Sequence, residues 1–327
     1  MQVTTGPTER LLVADIGGTN ARFAVADLGT LSLSHIRSTA CSKHASLQAA
    51  LSAYLAELGY TPEHAALAVA APVKGEEISF TNSDWRFVKD ELRRAFGFKH
   101  MVVVNDFEAL ALSLPTLGSA DLVQIGGTAP LEHATKAVLG PGTGLGVAAL
   151  VWSGNHWVAV PGEGGHMSLG ASDETELALL AQLSAPGTRP SAERAISGPG
   201  LIALYRAIAA RRKAPVPQTV DVVRLALEGG DDIAEEVVQL FGAWLGRFAG
   251  DIALVLGARG GVYIGGGIAP KIAAKLSAGP FRENFENKGR MRAYLAPIPV
   301  YVIVAEFAAL KGAAVAVGSK LVRGAIA

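Results

Sequence analysis

Apolar residues in this chain fall into short runs separated by glycine, proline and charge, and between those runs they recur at helical spacing. Leu11-Val13, Phe23-Asp27 and Leu31-Arg37 predict three strands joined by short turns. From Ser46 to Leu58 the period changes: Leu47, Leu51, Tyr54, Leu55 and Leu58 share one helical face, and Gly59 supplies the stop. A buried strand is expected at Ala66-Ala70, ended by Pro72, and a short helix over Val88 to Phe96. Met101-Val104 predicts a strand that runs into Asn105-Asp106, with a helix over Phe107 to Leu114. Further strands are expected near Leu122-Ile125, Ala137-Leu139, Val147-Val151 and Trp157-Val160. Helices follow over Glu174 to Leu183, Gly200 to Arg212, Val220 to Leu227 and Ile233 to Leu256. Val262-Ile264 is a strand, Ala269 to Leu276 a helix, Val300-Val304 the last strand, and Phe307 to Val322 a closing helix that contains glycine.

Strands alternating with helices imply an α/β protein with mainly parallel sheets, and the opening run of three strands implies an antiparallel edge. The pattern of strand, glycine turn and strand returns near residue 140, which points to two similar halves. Leu114-Pro115-Thr116-Leu117-Gly118 reads as a crossing between domains. With a second crossing near Glu306, the expected division is residues 1–114 plus 307–327 in one domain and 115–306 in the other.

Composition narrows the function classes. The 327 residues are 50% hydrophobic and 18% charged, as in a globular chain large enough for two cores. Lys+Arg and Asp+Glu both number 29, so the basic footprint of a nucleic-acid binder is missing. Arg211-Arg212-Lys213, the dense basic cluster, ends an apolar helical stretch and complements its C-terminus. One cysteine, Cys41, excludes an internal disulfide and fits a reducing compartment. Met1 to Arg10 are mixed and polar, and no uninterrupted apolar run reaches the roughly 18–20 residues of a membrane span. A soluble, cytoplasmic protein is expected, with no nucleic-acid or membrane partner.

The two glycine turns carry the chemistry. Asp15-Ile16-Gly17-Gly18-Thr19-Asn20 and Gly140-Pro141-Gly142-Thr143-Gly144 both lie between apolar runs. Small residues let backbone N–H groups converge on an anion, so two such turns can clasp a polyphosphate. Asp15 can hold hydrated Mg²⁺ beside the phosphates; as a plain turn residue it would bond its own backbone. Asn105-Asp106 stands where a strand ends and a helix begins. Asp106 is there either a helix N-cap or a base for a substrate hydroxyl, since ligands of open α/β sheets bind at C-terminal strand ends. Glu163-Gly164-Gly165-His166 makes a tight bend that can turn both polar side chains toward sugar hydroxyls; a metal site, which lacks cysteines and a second histidine at ligand spacing, and a surface loop are its alternatives. Gly265-Gly266-Gly267 follows an apolar strand and is either a nucleotide-side turn or a permissive loop. Glu193, before Arg194 and Ser197-Gly198-Pro199-Gly200, reads by itself as a solvated glutamate.

As an ordered set these motifs resemble the bacterial glucokinase family of the actin-like hexokinase superfamily. The matching stretches are Leu12 to Arg22, Asn105-Asp106-Phe107, Gly140 to Gly146, Gly162 to His166, Glu193 to Gly200 and Gly265 to Ile268. The resemblance implies a two-domain actin-like, ribonuclease H-like ATPase fold with a cleft between domains, and ATP-dependent phosphorylation of the glucose 6-hydroxyl. It further implies Asp106 as the base, with Asn105, Glu163, His166 and Glu193 joining it in holding glucose. The resemblance implies Asp15 near Mg²⁺, holding it through water, with Gly17, Gly18, Thr19, Asn20, Gly142, Thr143 and Gly144 at the ATP phosphates. Gly265, Gly266 and Gly267 are implied near the adenosine, and a cytoplasmic homodimer is the implied assembly. The related repressor group carries a zinc-binding cysteine cluster after its Glu-x-Gly-His; here Met167-Ser168-Leu169-Gly170 follows His166, so no structural zinc is expected. The phosphate turn begins by residue 15, which leaves no expected DNA-reading helix pair before it.

Two other classes use the same fold: an actin- or chaperone-type ATPase and a sugar-sensing regulator without catalysis. A polymer or chaperone needs no sugar pocket, which sets Glu163-Gly164-Gly165-His166 and Asn105-Asp106 against the first. Asp106 itself speaks against the second.

Overall fold

A strand that is apolar on both faces belongs in the middle of a sheet. In β1 (Arg10–Ile16), Leu11, Leu12, Val13, Ala14 and Ile16 are fully buried. The structure, a computed structural model, describes residues 10–80, 84–185 and 187–322, with side chains of the last helix followed to residue 318. The opening polar residues 1–9 and Thr81-Asn82-Ser83 lie outside the described residues. By its internal contacts the chain divides into two units: one runs to Leu117 and resumes at Glu306, and the other is Gly118–Ala305.

In the first unit β1 pairs antiparallel with β2 (Asn20–Asp27), and β2 with β3 (Leu33–Ala40). α1 (Leu47–Leu58) is N-capped by the Ser46 side chain, which accepts the Ala49 N–H, and ends on Gly59 at φ 81°. β4 (His64–Val69) returns parallel to β1. A separate hairpin of β5 (Glu77–Ser79) and β6 (Arg86–Val88) leads to α2 (Lys89–Phe96). β7 (His100–Asn105) lies parallel to β4 and passes directly into α3 (Asp106–Ser113). The sheet order is β3-β2-β1-β4-β7. On one face Leu47, Leu51, Tyr54 and Leu55 pack with Leu12, Ile16, Phe23 and Leu67, and the rings of Phe23 and Tyr54 stack at 5.3 Å.

The second unit contains β8 (Leu122–Gln124), β9 (Lys136–Pro141), β10 (Leu145–Trp152) and β11 (Trp157–Gly162). There follow α4 (Glu174–Gln182), α5 (Ala192–Ala195), α6 (Gly198–Arg212), α7 (Val222–Glu228) and α8 (Asp232–Leu256). β12 (Val262–Ile264), α9 (Ala273–Ala278), α10 (Phe281–Glu286), α11 (Arg292–Leu295) and β13 (Val300–Ile303) complete it. The sheet order is β11-β10-β9-β12-β13-β8. Without β8, both the order and the sense of every pairing repeat the first sheet: two antiparallel steps, then two parallel ones. Parallel pairing is therefore confined to three strands in each sheet, and the sheets are mixed rather than mainly parallel. The glycine turns fall at the same place in both repeats, between the first and second strands.

α12 (Ala308–Val322) belongs to the first unit, where it packs on α3 and on β1 and β4. Gly312 allows that approach, because a Cβ there would run into the Ala109 carbonyl. The closing helix thus buttresses the helix that carries Asp106. α8 is the described helix long and apolar enough to cross a bilayer by length and composition, yet 72% of its apolar window is buried. It packs as a core helix, with Phe241, Trp244, Leu245 and Phe248 in the second unit's apolar cluster. Arg211 and Arg212 occupy the last turn of α6, where Lys213 forms a left-handed cap and Arg212 pairs with Glu236.

Candidate active site

The first glycine turn is closed by Gly17 N–H donating to the Asn20 carbonyl at 3.0 Å, with Thr19 and Asn20 exposed. Cys41 lies against it: its N–H donates to the Thr19 carbonyl at 2.8 Å and its thiol to the Gly17 carbonyl at 3.5 Å. Asp15, two residues before the turn, is the direct cross-strand partner of Arg22 and accepts from its Nη1 at 2.9 Å. Burial raises the Asp15 carboxyl above the ordinary carboxylate range, and the Arg22 charge and hydrogen bond oppose that rise.

Asn105 ends β7 and caps α3. Its Oδ1 accepts the N–H groups of Phe107 at 2.9 Å and Glu108 at 3.3 Å, and the Glu108 carboxylate accepts the Asn105 N–H at 3.4 Å. This is a complete capping box. The capping role weighed for Asp106 therefore belongs to Asn105, whose remaining polar group, Nδ2, donates to the Ala71 carbonyl at 3.4 Å. Asp106 is the first residue of the helix, and its Oδ1 accepts the Phe107 N–H at 3.0 Å. Its carboxyl is pushed up to about 7, first by burial and then by the negative charge of Asp15. Hydrogen bonds from the Phe107 and Asp106 amides and the Asn105 side chain pull it partly back. A carboxyl that titrates near neutrality is suited to take a proton from an alcohol.

In the second unit the β9–β10 turn is closed by Gly142 N–H donating to the Gly144 carbonyl at 2.8 Å, and Thr143 is exposed at its tip. Neighbouring segments fix it from outside. Gly198 N–H, at the start of α6, donates to the Gly142 carbonyl at 2.8 Å, and Ile268 N–H to the Pro141 carbonyl at 3.3 Å. Gly265 N–H donates to the Leu139 carbonyl at 2.8 Å, so the Gly265-Gly266-Gly267 turn lies along the end of β9. The Glu163 to His166 bend leaves β11 as a single 3₁₀ turn over Gly164–His166, with Glu163 and His166 both exposed. Gly165 sits so close to the Leu145 carbonyl that a Cβ would overlap it. Glu193, on α5, accepts the Leu145 N–H through Oε2 at 3.0 Å. Ala192 N–H donates to the Met167 carbonyl at 2.8 Å and ties α5 to the bend.

The candidate residues thus form two constellations. Asp15, Gly17, Gly18, Thr19, Asn20, Asn105 and Asp106 belong to the first unit. Gly142, Thr143, Gly144, Glu163, His166, Glu193, Gly265, Gly266 and Gly267 belong to the second. Two participants escape sequence reasoning. Arg22 sits inside the first motif, and the hairpin register that sets it opposite Asp15 is its available signal. Leu145 is apolar and contributes only backbone, so no side-chain pattern marks it.

Both constellations fit a nucleotide with its metal. A Cβ on Gly142 or Gly267 would meet open space, so packing within the protein does not require glycine there. Bare backbone at those points leaves room for an approaching anion or nucleoside. Among the described residues no group of three or more His, Cys, Asp or Glu side chains is set to hold a metal. A single carboxylate such as Asp15 suits Mg²⁺ that stays hydrated and takes its other ligands from substrate phosphates.

Two units that share a five-strand order, each with a glycine hairpin at the same place in it, define the actin-like two-domain class that includes the hexokinase-type sugar kinases. The glucokinase family model matches residues 12–320. A glucokinase of Aromatoleum aromaticum is 47% identical over 314 residues, which cover 95% of each chain. The crystal structure of a glucokinase from an Antarctic psychrotroph superposes with a TM-score of 0.83 at 36% identity, covering 96% of this chain and 100% of that one. A Balamuthia mandrillaris glucokinase solved in complex with glucose shares the fold, with a TM-score of 0.78 at 21% identity over 97% and 95% of the two chains. The chain belongs to the glucokinase family.

Proposed function

We propose that this protein transfers the γ-phosphoryl group of ATP to the 6-hydroxyl of glucose, with Asp106 as general base. Family membership supports the reaction. The observation that carries the assignment of the base is the state of Asp106: Asn105 performs the capping, while burial and the Asp15 charge lift the Asp106 carboxyl to about 7. As the sugar oxygen bonds to the γ-phosphorus, its proton passes to the Asp106 carboxylate. The bond from phosphorus to the β–γ bridging oxygen breaks, and ADP leaves. Asn105, Glu163, His166 and Glu193 hold the sugar in this reading, with Asn105 offering the second Nδ2 hydrogen, because its Oδ1 is engaged on α3 and its first Nδ2 hydrogen on Ala71.

The turns Gly17-Gly18-Thr19-Asn20 and Gly142-Thr143-Gly144 bind phosphate oxygens through the backbone N–H groups that do not close them, and Gly265-Gly266-Gly267 lies beside the adenosine. Asp15 is the residue that would hold hydrated Mg²⁺ beside the phosphates, and the ion would supply positive charge for phosphoryl transfer. A cytoplasmic homodimer is the assembly this reading adopts; the single cysteine, buried as Cys41, agrees with a reducing compartment.

The test couples ADP formation to glucose addition. Glucose is expected to accelerate ADP release strongly, and Asp106→Ala to lower kcat by roughly 10²–10⁴ while a non-hydrolysable ATP analogue still binds. Near-normal turnover by that variant removes Asp106 from the chemistry. ADP release indifferent to glucose removes the sugar kinase.

A further inference from the structure

We infer that Gly144 and the Leu145 N–H are positioning elements for Glu193, so that the second phosphate turn and the sugar-binding carboxylate work as one part. The inference rests on the reading of Glu193 as a sugar ligand. Glu193 lies 48 residues from Leu145 in sequence, yet its Oε2 accepts the Leu145 N–H at 3.0 Å. A Cβ added to Gly144 would lie 2.5 Å from that same Oε2. Gly144 does not have a left-handed backbone, so conformation alone does not demand glycine there. The requirement comes from the carboxylate that passes over it.

This separates the glycines of the turn by cause. At Gly142 the added Cβ meets open space, while at Gly144 it meets Glu193. The first is left bare for a ligand and the second for a neighbouring side chain. The other side of Leu145 is equally committed, because its carbonyl sits against Gly165 of the Glu163 to His166 bend. Leu145 therefore holds an element of the sugar site on each side of its peptide and the phosphate turn just before it. Glucose that bonds to Glu193 also fixes the amide that ends the turn, and the turn in turn fixes where glucose finds its carboxylate. A bidentate carboxylate can serve both at once, one oxygen on each.

A substitution in the phosphate turn should then damage sugar binding. The atom that Gly144→Ala strikes is the far end of a flexible side chain, so the fold persists and Glu193 swings away. We expect Gly144→Ala to weaken glucose binding to the full-length protein, measured by calorimetry, by roughly 10–100-fold. That titration contains no nucleotide, so a loss there is read apart from any effect of the substitution on phosphate binding by the turn. In the Glu193→Ala background, the same substitution should add less than about a twofold loss in kcat/KM for glucose, the non-additivity of two residues acting through one contact. Hydrogen exchange at the Leu145 amide supplies a check that needs no variant: glucose alone should slow it in the wild-type chain. Undiminished glucose affinity in Gly144→Ala, additive losses in the cycle, or a Leu145 amide indifferent to glucose overturns the coupling. A wild-type chain that binds no glucose overturns the kinase reading instead.

Discussion

Asp15 and Arg22 face each other across the β1–β2 hairpin, joined at 2.9 Å, with 19% of the Asp15 side chain and 43% of the Arg22 side chain exposed. The carboxylate is the more enclosed partner, so it has more to lose from separation. Within this unit Arg22 is the cation that offsets burial at Asp15, and Asp15 is the charge that helps raise Asp106. Arg22→Met should leave Asp15 unpaired next to the first glycine turn. The expected result in steady-state kinetics is a rise of roughly tenfold in the KM for MgATP, with the KM for glucose changed by less than about twofold. Arg22→Lys keeps the charge and should recover much of the loss. Equal effects on both substrates would mean that the pair only stabilises the hairpin.

The Asp106 carboxyl predicts the acid limb of the rate profile. A general base must be ionised before substrate arrives, and the proposed base, Asp106, titrates at about 7 in the folded chain. kcat/KM for glucose should therefore rise about tenfold per pH unit below that value and level off above it. Asp106→Asn should abolish the step together with most of the rate. A profile flat across neutrality in the wild-type enzyme would assign proton removal elsewhere.

The same shift has an opposite consequence for stability. The unfolded chain ionises Asp106 near its ordinary value of 3.8, while the folded chain resists until about 7. Between those values the unfolded state binds fewer protons, so stability falls as pH rises, and the full penalty is present above the folded value. Asp106→Asn removes the penalty. Urea unfolding of the unliganded proteins should show the variant more stable than the wild type at about pH 8 and the difference gone by about pH 4. A variant weaker at every pH would show the carboxylate to be a net structural contributor.

How far the sequence disclosed the architecture depended on whether a signal was local. α1 was legible because five apolar residues share a face between a serine cap and a left-handed glycine, and the structure runs it over Leu47–Leu58. The β5–β6 hairpin left no trace, since strands of three residues are too short to set a period. α10 and α11, of six and four residues, escape for the same reason. Ala269 to Leu276 reads as one helix, yet Pro270 begins it as a 3₁₀ turn over Ala269–Ile272. At Asn105-Asp106 two good capping residues stand side by side, and composition cannot choose between them; the strand end that places Asn105 one position earlier does. The bond from Leu145 to Glu193 is farther from view still, because it joins a backbone amide to a side chain across 48 residues.

The Arg247–Glu176 pair tests how firmly the segment after His166 is anchored. Arg247, on α8, donates to both Glu176 oxygens at 2.7 and 3.1 Å and to the Gly170 carbonyl at 2.7 Å. The Ser172 N–H donates to Glu176 at 2.8 Å. Burial alone would raise the Glu176 carboxyl, but the bonds from Arg247 and Ser172 outweigh it and bring the value down to about 2 from 4.5. A depressed carboxyl stabilises the fold above its unfolded value and loses that contribution as pH falls toward the folded one. The pair's support is therefore complete at neutral pH and fades between 4.5 and about 2. With 8% of the Glu176 side chain and 15% of the Arg247 side chain exposed, Arg247→Met strands an enclosed charge and should cost about 3–5 kcal/mol at pH 7. Denaturant titrations of both proteins should show that gap shrinking steadily below about pH 4.5. A gap that stays constant down to pH 3 would trace the loss to the packing of the arginine stem rather than to its charge.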